Sequence, residues 1–147
     1  MRPGYAFSAI LLGLVGFAAV EAAGRAGGVL TAVTPYLPLD AAVYAVSTLL
    51  LALAFGRAFR RARAWSLPFL ALAFILLFVP LAGVLAAAVE LTADGLWGVP
   101  AMVRSAFVNT PLNLLFTLAI DVGFVALPLG VVSVTLLAWL ARRAARR

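Results

Sequence analysis

Four long apolar stretches, separated by short segments that carry most of the charge, dominate the pattern along this chain. They cover about residues 5–23, 41–58, 65–88 and 111–140. Each stretch approaches or exceeds the ~20 residues that an α-helix needs to cross ~30 Å of hydrocarbon. The pattern therefore predicts an all-α fold, a polytopic transmembrane four-helix bundle that forms one domain over residues 1–147.

Local signals mark the ends of these predicted helices. Asp40 is a candidate N-cap for the second helix, whose apolar stretch is short enough that the helix could also begin earlier. Thr110 followed by Pro111 is a good start for the fourth helix. Pro80 predicts a bend inside the third helix, because proline removes one backbone donor and clashes with the carbonyl four residues earlier.

The first stretch shares features with a cleaved signal peptide. Arg2 precedes it and small residues follow at 22–24. Glu21 would then lie inside the cleavage region, which disfavours cleavage. We therefore expect this segment to remain as an uncleaved helix.

The composition agrees with a lipid environment. Of the residues, 66% are hydrophobic and 11% are charged, against roughly 25% charged in ordinary soluble domains. A soluble domain of this size still exposes about a third of the surface of its unfolded chain. We therefore expect the lipid bilayer to be the main partner of this surface.

Arginines predict the orientation of the helices. All eleven cationic residues are arginine, and nine of them lie on one side if both termini are on the same side. Arg25 and Arg104 are the two on the other side. Because cytoplasmic loops are enriched in positive residues, the sequence predicts a bacterial cytoplasmic (inner) membrane protein with both termini in the cytoplasm.

The net charge of +6 does not indicate a nucleic-acid partner, because the arginines cluster beside apolar stretches. Clusters in such places contact lipid headgroups. The predicted headgroup contacts are Arg57, Arg60, Arg61, Arg63, Arg142, Arg143, Arg146 and Arg147.

The second outer connection, residues 91–109, is more apolar than a free loop should be. A turn signal at Asp94-Gly95 precedes Trp97 and a stretch at 100–109 whose apolar residues share one helical face. This predicts a short helix in the outer interface with Trp97 at headgroup depth. An ordinary loop packed on the helix ends is the alternative.

A four-residue repeat raises the possibility of internal duplication. The tetrapeptide Ala-Ala-Val-Glu at 18–21 recurs at 87–90, and each copy precedes a Thr-Pro pair and a helix that ends in arginines. Duplication would produce two parallel helical hairpins with Glu21 and Glu90 at matching depths. In an alanine-rich chain the match is also compatible with coincidence.

Asp121 is the deepest charge, about ten residues or roughly 15 Å into the fourth helix. A carboxylate at this depth costs at least ~2.5–3.5 kcal/mol, so it should face protein or water. Asn113 and Thr117 precede it at four-residue spacing and would form a polar stripe. One interpretation is proton or cation handling; the other is a neutral Asp121 that bonds another helix, with Ser47 and Thr48 nearest in depth.

Glu21 and Glu90 would lie just below the outer boundary. They could face each other and share a proton or a cation. The simpler alternative pairs Glu21 with Arg25, one turn further on, and leaves Glu90 in water or paired with Arg104.

The residue types restrict the possible chemistry. The chain has no cysteine, histidine or lysine, which excludes thiolate chemistry, sulfur-ligated metals, histidine bases and Schiff bases. Intramembrane aspartyl peptidases need two deep aspartates, and Asp121 has no second one at its depth. The sequence therefore predicts no catalytic residue, no metal and no cofactor.

Two functions remain. Small-residue faces suit close helix packing, and they favour a non-catalytic subunit of a larger membrane complex or homo-oligomer, with other membrane subunits or itself as partners. The alternative is a small transporter or channel component that uses Asp121 with Glu21 or Glu90. The small residues are Ala9, Gly13, Gly16, Ala52, Gly56, Gly83 and Ala87.

Overall fold

The computed structural model describes residues 3–26, 37–109 and 123–146. All regular structure in these ranges is helical, which confirms the all-α prediction. The helices are α1 (Pro3–Ala26), α2 (Leu37–Ala54), α3 (Gly56–Arg61), α4 (Leu67–Asp94), α5 (Pro100–Arg104) and α6 (Gly123–Arg146). A 3-10 turn at Ala64–Ser66 precedes α4, and a π turn at Ser105–Asn109 continues α5.

The four long helices pack in a ring, in which α1 and α4 each contact both α2 and α6. Contacts along α1 show that it is antiparallel to α2. The Tyr5 hydroxyl, near the start of α1, reaches Ala52 near the end of α2. Phe17, three turns further along α1, contacts Tyr44 near the start of α2.

The helix α6 runs antiparallel to α4. Gly130 of α6 lies against Ile75 in the first half of α4. Arg142, three turns further on, reaches Phe59 of α3, which is connected to the start of α4 by residues 62–66. The start of α1, the end of α2, the start of α4 and the end of α6 therefore share one end of the bundle.

The most continuous core lies towards this same end. Phe59 is fully buried, and its ring lies 5.7 Å from that of Phe55 and 6.2 Å from that of Phe74. Phe59 thereby ties the short helix α3 to the long helices. The buried cluster comprises Tyr5, Ala9, Leu51, Ala52, Phe59, Ala71, Phe74, Val134, Leu137, Ala138 and Ala141.

The boundaries of α2 differ from those predicted. Asp40 is not an N-cap, because α2 already includes Leu37 and Asp40 lies in its first turn. Pro38 is compatible with this earlier start, since the first turn of a helix needs no backbone donor from proline. Helical structure does reach residue 58, with one interruption: α2 ends at Ala54, and a single turn residue, Phe55, separates it from α3, which continues to Arg61.

The helix α4 is longer than the predicted 65–88. It continues through Pro80, whose effect on the helix axis stays a prediction, and it ends at Asp94. Gly95 follows with φ +67°, and the Leu96 N–H donates a 3.0 Å hydrogen bond to the Leu91 carbonyl. This is a Schellman-type helix end, and it confirms the predicted turn at Asp94-Gly95.

Two helices in the described part of the chain are long and apolar enough to cross a membrane. They are Pro3–Ala22 and Ala64–Asp94, and the apolar helix Pro38–Ala54 is shorter. The predicted start of the fourth helix at Thr110-Pro111 lies outside the described residues.

Candidate functional site

The arginines predicted to contact lipid headgroups gather at one end of the bundle. We call Arg57, Arg60, Arg61, Arg63, Arg142 and Arg143 the basic end. They come together because α3 packs against α6, where Arg142 Nε donates a 3.5 Å hydrogen bond to the Phe59 carbonyl. All except Arg142 are exposed. The Arg146 side chain and Arg147 lie outside the described residues.

Exposed tryptophans accompany these arginines. The Arg143 guanidinium carbon lies 5.1 Å from the centre of the Trp139 ring, a cation–π contact. Trp65 is exposed in the 3-10 turn that precedes α4. Tryptophan together with arginine is typical of the headgroup region of a membrane, where an amphipathic ring contacts both lipid and water.

Acidic residues mark the opposite end of the bundle. We call Glu21, Asp40, Glu90 and Asp94 the acidic end. Asp40 and Asp94 both lie close enough to Glu90 to interact with it electrostatically. Within the described ranges, however, no group of three or more His, Cys, Asp or Glu side chains could hold a metal ion.

The structure distinguishes between the two interpretations of Glu21 and Glu90, a shared proton or cation and separate partners. Arg25 donates to the Glu21 carboxylate from Nη2 at 2.7 Å and from Nε at 3.0 Å, so the predicted pairing is present. Glu90 is exposed, and among the described residues it forms no ion pair with Arg104. Glu21 is thus engaged within its own helix, and Glu90 faces outwards.

The predicted helical segment at 100–109 is present as α5 and the π turn. The π turn contacts α4, and the Phe107 ring packs against the Trp97 ring in the turn that follows α4, with ring centres 5.7 Å apart. The Trp97 indole N–H also donates a 2.8 Å hydrogen bond to Thr92 Oγ1 in the last turns of α4. A place for this segment in the outer interface stays a prediction.

The polar stripe of Asn113, Thr117 and Asp121 lies outside the described residues. Of its two candidate partners in α2, Thr48 donates its hydroxyl proton to the Tyr44 carbonyl at 2.8 Å. Ser47 is completely buried, and its hydroxyl finds no hydrogen-bond partner in the part of the chain that the structure describes.

A cavity of about 90 Å³ lies between the four long helices. Tyr44, Thr48 and Ser133 are the polar residues in a wall that is otherwise apolar. The lining consists of Leu12, Gly13, Gly16, Val20, Tyr44, Thr48, Phe74, Ile75, Phe78, Val79, Leu129, Gly130 and Ser133.

The sequence pattern assigned the two glycines of α1 that line this cavity to helix packing, and one of them serves that purpose. A Cβ added at Gly13 would lie 2.7 Å from Ala45 Cα, so this glycine does allow the close approach of α1 and α2. A Cβ added at Gly16 would meet nothing within 4 Å. Gly16 therefore leaves space on the same face of α1 where Gly13 is tightly packed.

In comparisons with known proteins, no family model, no curated protein and no solved structure matches this chain.

Proposed function

We propose that this chain is an integral membrane protein whose four long helices cross a bacterial inner membrane, where it serves as a non-catalytic subunit of a larger complex or of a homo-oligomer. The observation that carries the proposal is that its most apolar helices are poorly buried by the bundle. Only 17% of the apolar window in α1 and 28% of that in α4 are buried.

This exposure favours lipid over water as the surrounding solvent. In a soluble protein an apolar helix covers its hydrophobic side with other parts of the chain. Here large apolar side chains point outwards from each long helix, for example Phe7 (63% exposed), Leu50 (45%), Phe69 (68%) and Val132 (56%). Soluble monomers rarely expose contiguous apolar patches of more than a few hundred Å².

The charged ends support the proposed orientation. The basic end lies opposite the acidic end, with an apolar belt between them. Positive residues are retained on the cytoplasmic side of bacterial membranes. The basic end and both termini are therefore assigned to the cytoplasm, and the acidic end with α5 to the outer face.

Two further observations favour a subunit over a transporter or channel component. The central cavity is lined mostly by carbon, which makes it a poor path for an ion because it offers few groups to replace water of hydration. Glu21, a candidate partner of Asp121 in the alternative, is bound by Arg25. The alternative function would rest on Asp121 with Glu21 or Glu90.

Purification from native membranes in a mild detergent, followed by native mass spectrometry, tests the proposal. We expect the chain to need detergent for extraction and to elute with a stoichiometric larger partner or as a homo-oligomer. Release from membranes by alkaline carbonate alone would refute membrane integration. A detergent-solubilised monomer without any partner would refute the subunit role.

The variant Asp121→Asn separates the two functions. It keeps the size and hydrogen-bonding capacity of the side chain but cannot release a proton. For a passive subunit we expect assembly and the activity of the parent complex to be unchanged. Normal assembly with loss of a pH-dependent transport activity would instead establish the transporter.

A further inference from the structure

We propose that the end of α6 and the short helix α3 together bind an anionic phospholipid, whose acyl chain lies along an exposed apolar face of α6 and whose phosphate contacts arginines of the basic end. This inference rests on the proposed membrane location, because the ligand comes from the cytoplasmic leaflet of the bilayer. It gives a defined ligand and a defined place to arginines whose sequence pattern predicts only general headgroup contacts.

One face of α6 is apolar over about two turns and ends in a cation. Val132, Leu136 and Trp139 are 56%, 42% and 52% exposed, and Arg143 is exposed one turn further on. Their spacing of four, three and four residues places these side chains on one face of the helix. The face is roughly 16 Å long at 1.5 Å per residue. An apolar strip that leads to a cation matches the order of acyl chain and phosphate in a phospholipid.

The Trp139 ring positions Arg143 where the apolar face ends. The guanidinium carbon lies 5.1 Å from the ring centre. This cation–π contact restricts the rotamers of a long side chain that is otherwise exposed. Less conformational entropy is therefore lost when the guanidinium binds a ligand. Guanidinium N–H groups match the geometry of phosphate oxygens, so a phosphate is a suitable ligand at this position.

The helix α3 adds further arginines beside α6. Phe59 is fully buried, and Arg57 and Arg61 precede and follow it by two residues. At 3.6 residues per turn both arginines lie about 160° from Phe59 around the helix, and both are exposed. The hydrogen bond from Arg142 to the Phe59 carbonyl connects α3 to α6. Arg57 and Arg61 therefore face outwards next to the end of α6.

The charge of the basic end selects an anionic headgroup. In the described part of the chain all acidic residues lie at the acidic end, and no arginine of the basic end forms an ion pair. These clustered positive charges attract a phosphate and repel an ammonium group. A phosphatidylethanolamine headgroup carries an ammonium group besides its phosphate, whereas phosphatidylglycerol has a net negative charge. A free phosphate or a nucleic acid would leave the apolar face of α6 uncovered.

Single substitutions on both helices test the proposal. Arg61→Gln and Arg143→Gln each remove one charge, from α3 and from α6. Arg104→Gln is the matched control for Arg61→Gln, because both arginines are exposed in the last turn of a short helix and Arg104 lies near the acidic end. Trp139→Leu keeps an apolar side chain on α6 but removes the ring that contacts Arg143. All four side chains are exposed, so the fold should tolerate these changes.

The measurement is native mass spectrometry of delipidated protein in a non-ionic detergent, titrated with phosphatidylglycerol or phosphatidylethanolamine of the same acyl chains. We expect the wild type and Arg104→Gln to bind the first phosphatidylglycerol equally and more tightly than phosphatidylethanolamine. Arg61→Gln and Arg143→Gln should each bind it about fivefold more weakly. Trp139→Leu should bind it about two- to fivefold more weakly. Inorganic phosphate at the concentration of the lipid should not displace it.

Several results would overturn the inference. Equal affinity for the two lipids would remove the selection by charge, and equal weakening in Arg104→Gln and Arg61→Gln would show a general effect of net charge. Unchanged affinity in Arg143→Gln or Trp139→Leu would place the lipid away from α6. Displacement by inorganic phosphate would show that the arginines bind a soluble anion. Carbonate extraction of the same samples keeps the proposed function separate, because a membrane-integrated wild type without this lipid preference refutes this inference alone.

Discussion

Replacement of Gly13 by alanine places a methyl group against the backbone of α2. The new Cβ would lie 2.7 Å from Ala45 Cα and 2.8 Å from the Tyr44 carbonyl oxygen. Unstrained carbon atoms lie about 3.5–4.0 Å apart. Because a helix backbone cannot rotate aside as a side chain can, α1 and α2 must separate by roughly 1 Å or the helices must shift along each other.

The expected loss of stability in Gly13→Ala is obtained by comparison with Gly16→Ala. Alanine stabilises a helix relative to glycine by roughly 0.5–1 kcal/mol, and this gain is common to both variants because both positions are inside α1. Only Gly13→Ala adds overpacking, which costs about 1–3 kcal/mol. We therefore expect Gly13→Ala to be about 1–3 kcal/mol less stable than Gly16→Ala, which should equal or exceed the wild type.

Unfolding in mixed micelles with increasing sodium dodecyl sulfate, followed by circular dichroism, measures this difference. Because both variants replace a glycine in α1 by alanine and are measured in the same detergent, the difference between their stabilities contains neither the detergent effect nor the gain in helix propensity. Equal stability of Gly13→Ala and Gly16→Ala would refute the close antiparallel packing of α1 on α2.

Three further predictions use the same unfolding assay. Tyr5→Phe removes the 3.1 Å hydrogen bond to the Ala52 carbonyl and should cost about 0.5–1.5 kcal/mol; an unchanged stability would mean that this contact is absent. Ser47→Ala removes a buried hydroxyl without a described partner, so stability should hold or rise, and a loss above about 1 kcal/mol would reveal a partner. Gly95→Ala forces a side chain into the left-handed region at φ +67° and should cost about 1–2 kcal/mol, whereas a neutral effect would contradict the helix end.

Features that depend on local sequence were predicted correctly. The helical character of the apolar stretches and the turn at Asp94-Gly95 follow from residues that are adjacent in the chain. The Glu21–Arg25 ion pair follows from four-residue spacing on one helix. The arginines gather at one end because the two clusters follow the second and fourth apolar stretches. In a bundle whose successive long helices alternate in direction, these two helix ends lie on the same side.

Features that depend on distant residues were missed. The interruption of α2 at Phe55 coincides with the Tyr5 hydroxyl of another helix bonding to the Ala52 carbonyl, which no local pattern of α2 contains. Asp40 was predicted to be an N-cap because it has the right side chain, but Pro38 shows that the helix can start earlier. The spacing of apolar residues does not distinguish a helix that begins at Leu37 from one that Asp40 caps, because the apolar pattern is the same in both.

The cavity in the candidate site also depends on residues that are distant in the sequence, so the sequence did not predict it. Gly13 and Gly16 belong to one small-residue pattern, yet one is packed against α2 and the other faces empty space. The difference arises from the position of α2 and α6 around α1. Packing of this kind is set by all four helices together, so periodicity along one helix does not predict it.

Cysteine accessibility in intact cells tests the proposed membrane crossing most directly. The chain has no cysteine of its own, so Ala64→Cys before α4 and Gly98→Cys after α4 each introduce a single exposed thiol. We expect an impermeant maleimide to label position 98 in intact cells and position 64 only after the membrane is permeabilised. Labelling of position 64 from outside, or identical behaviour of the two positions, would contradict the account.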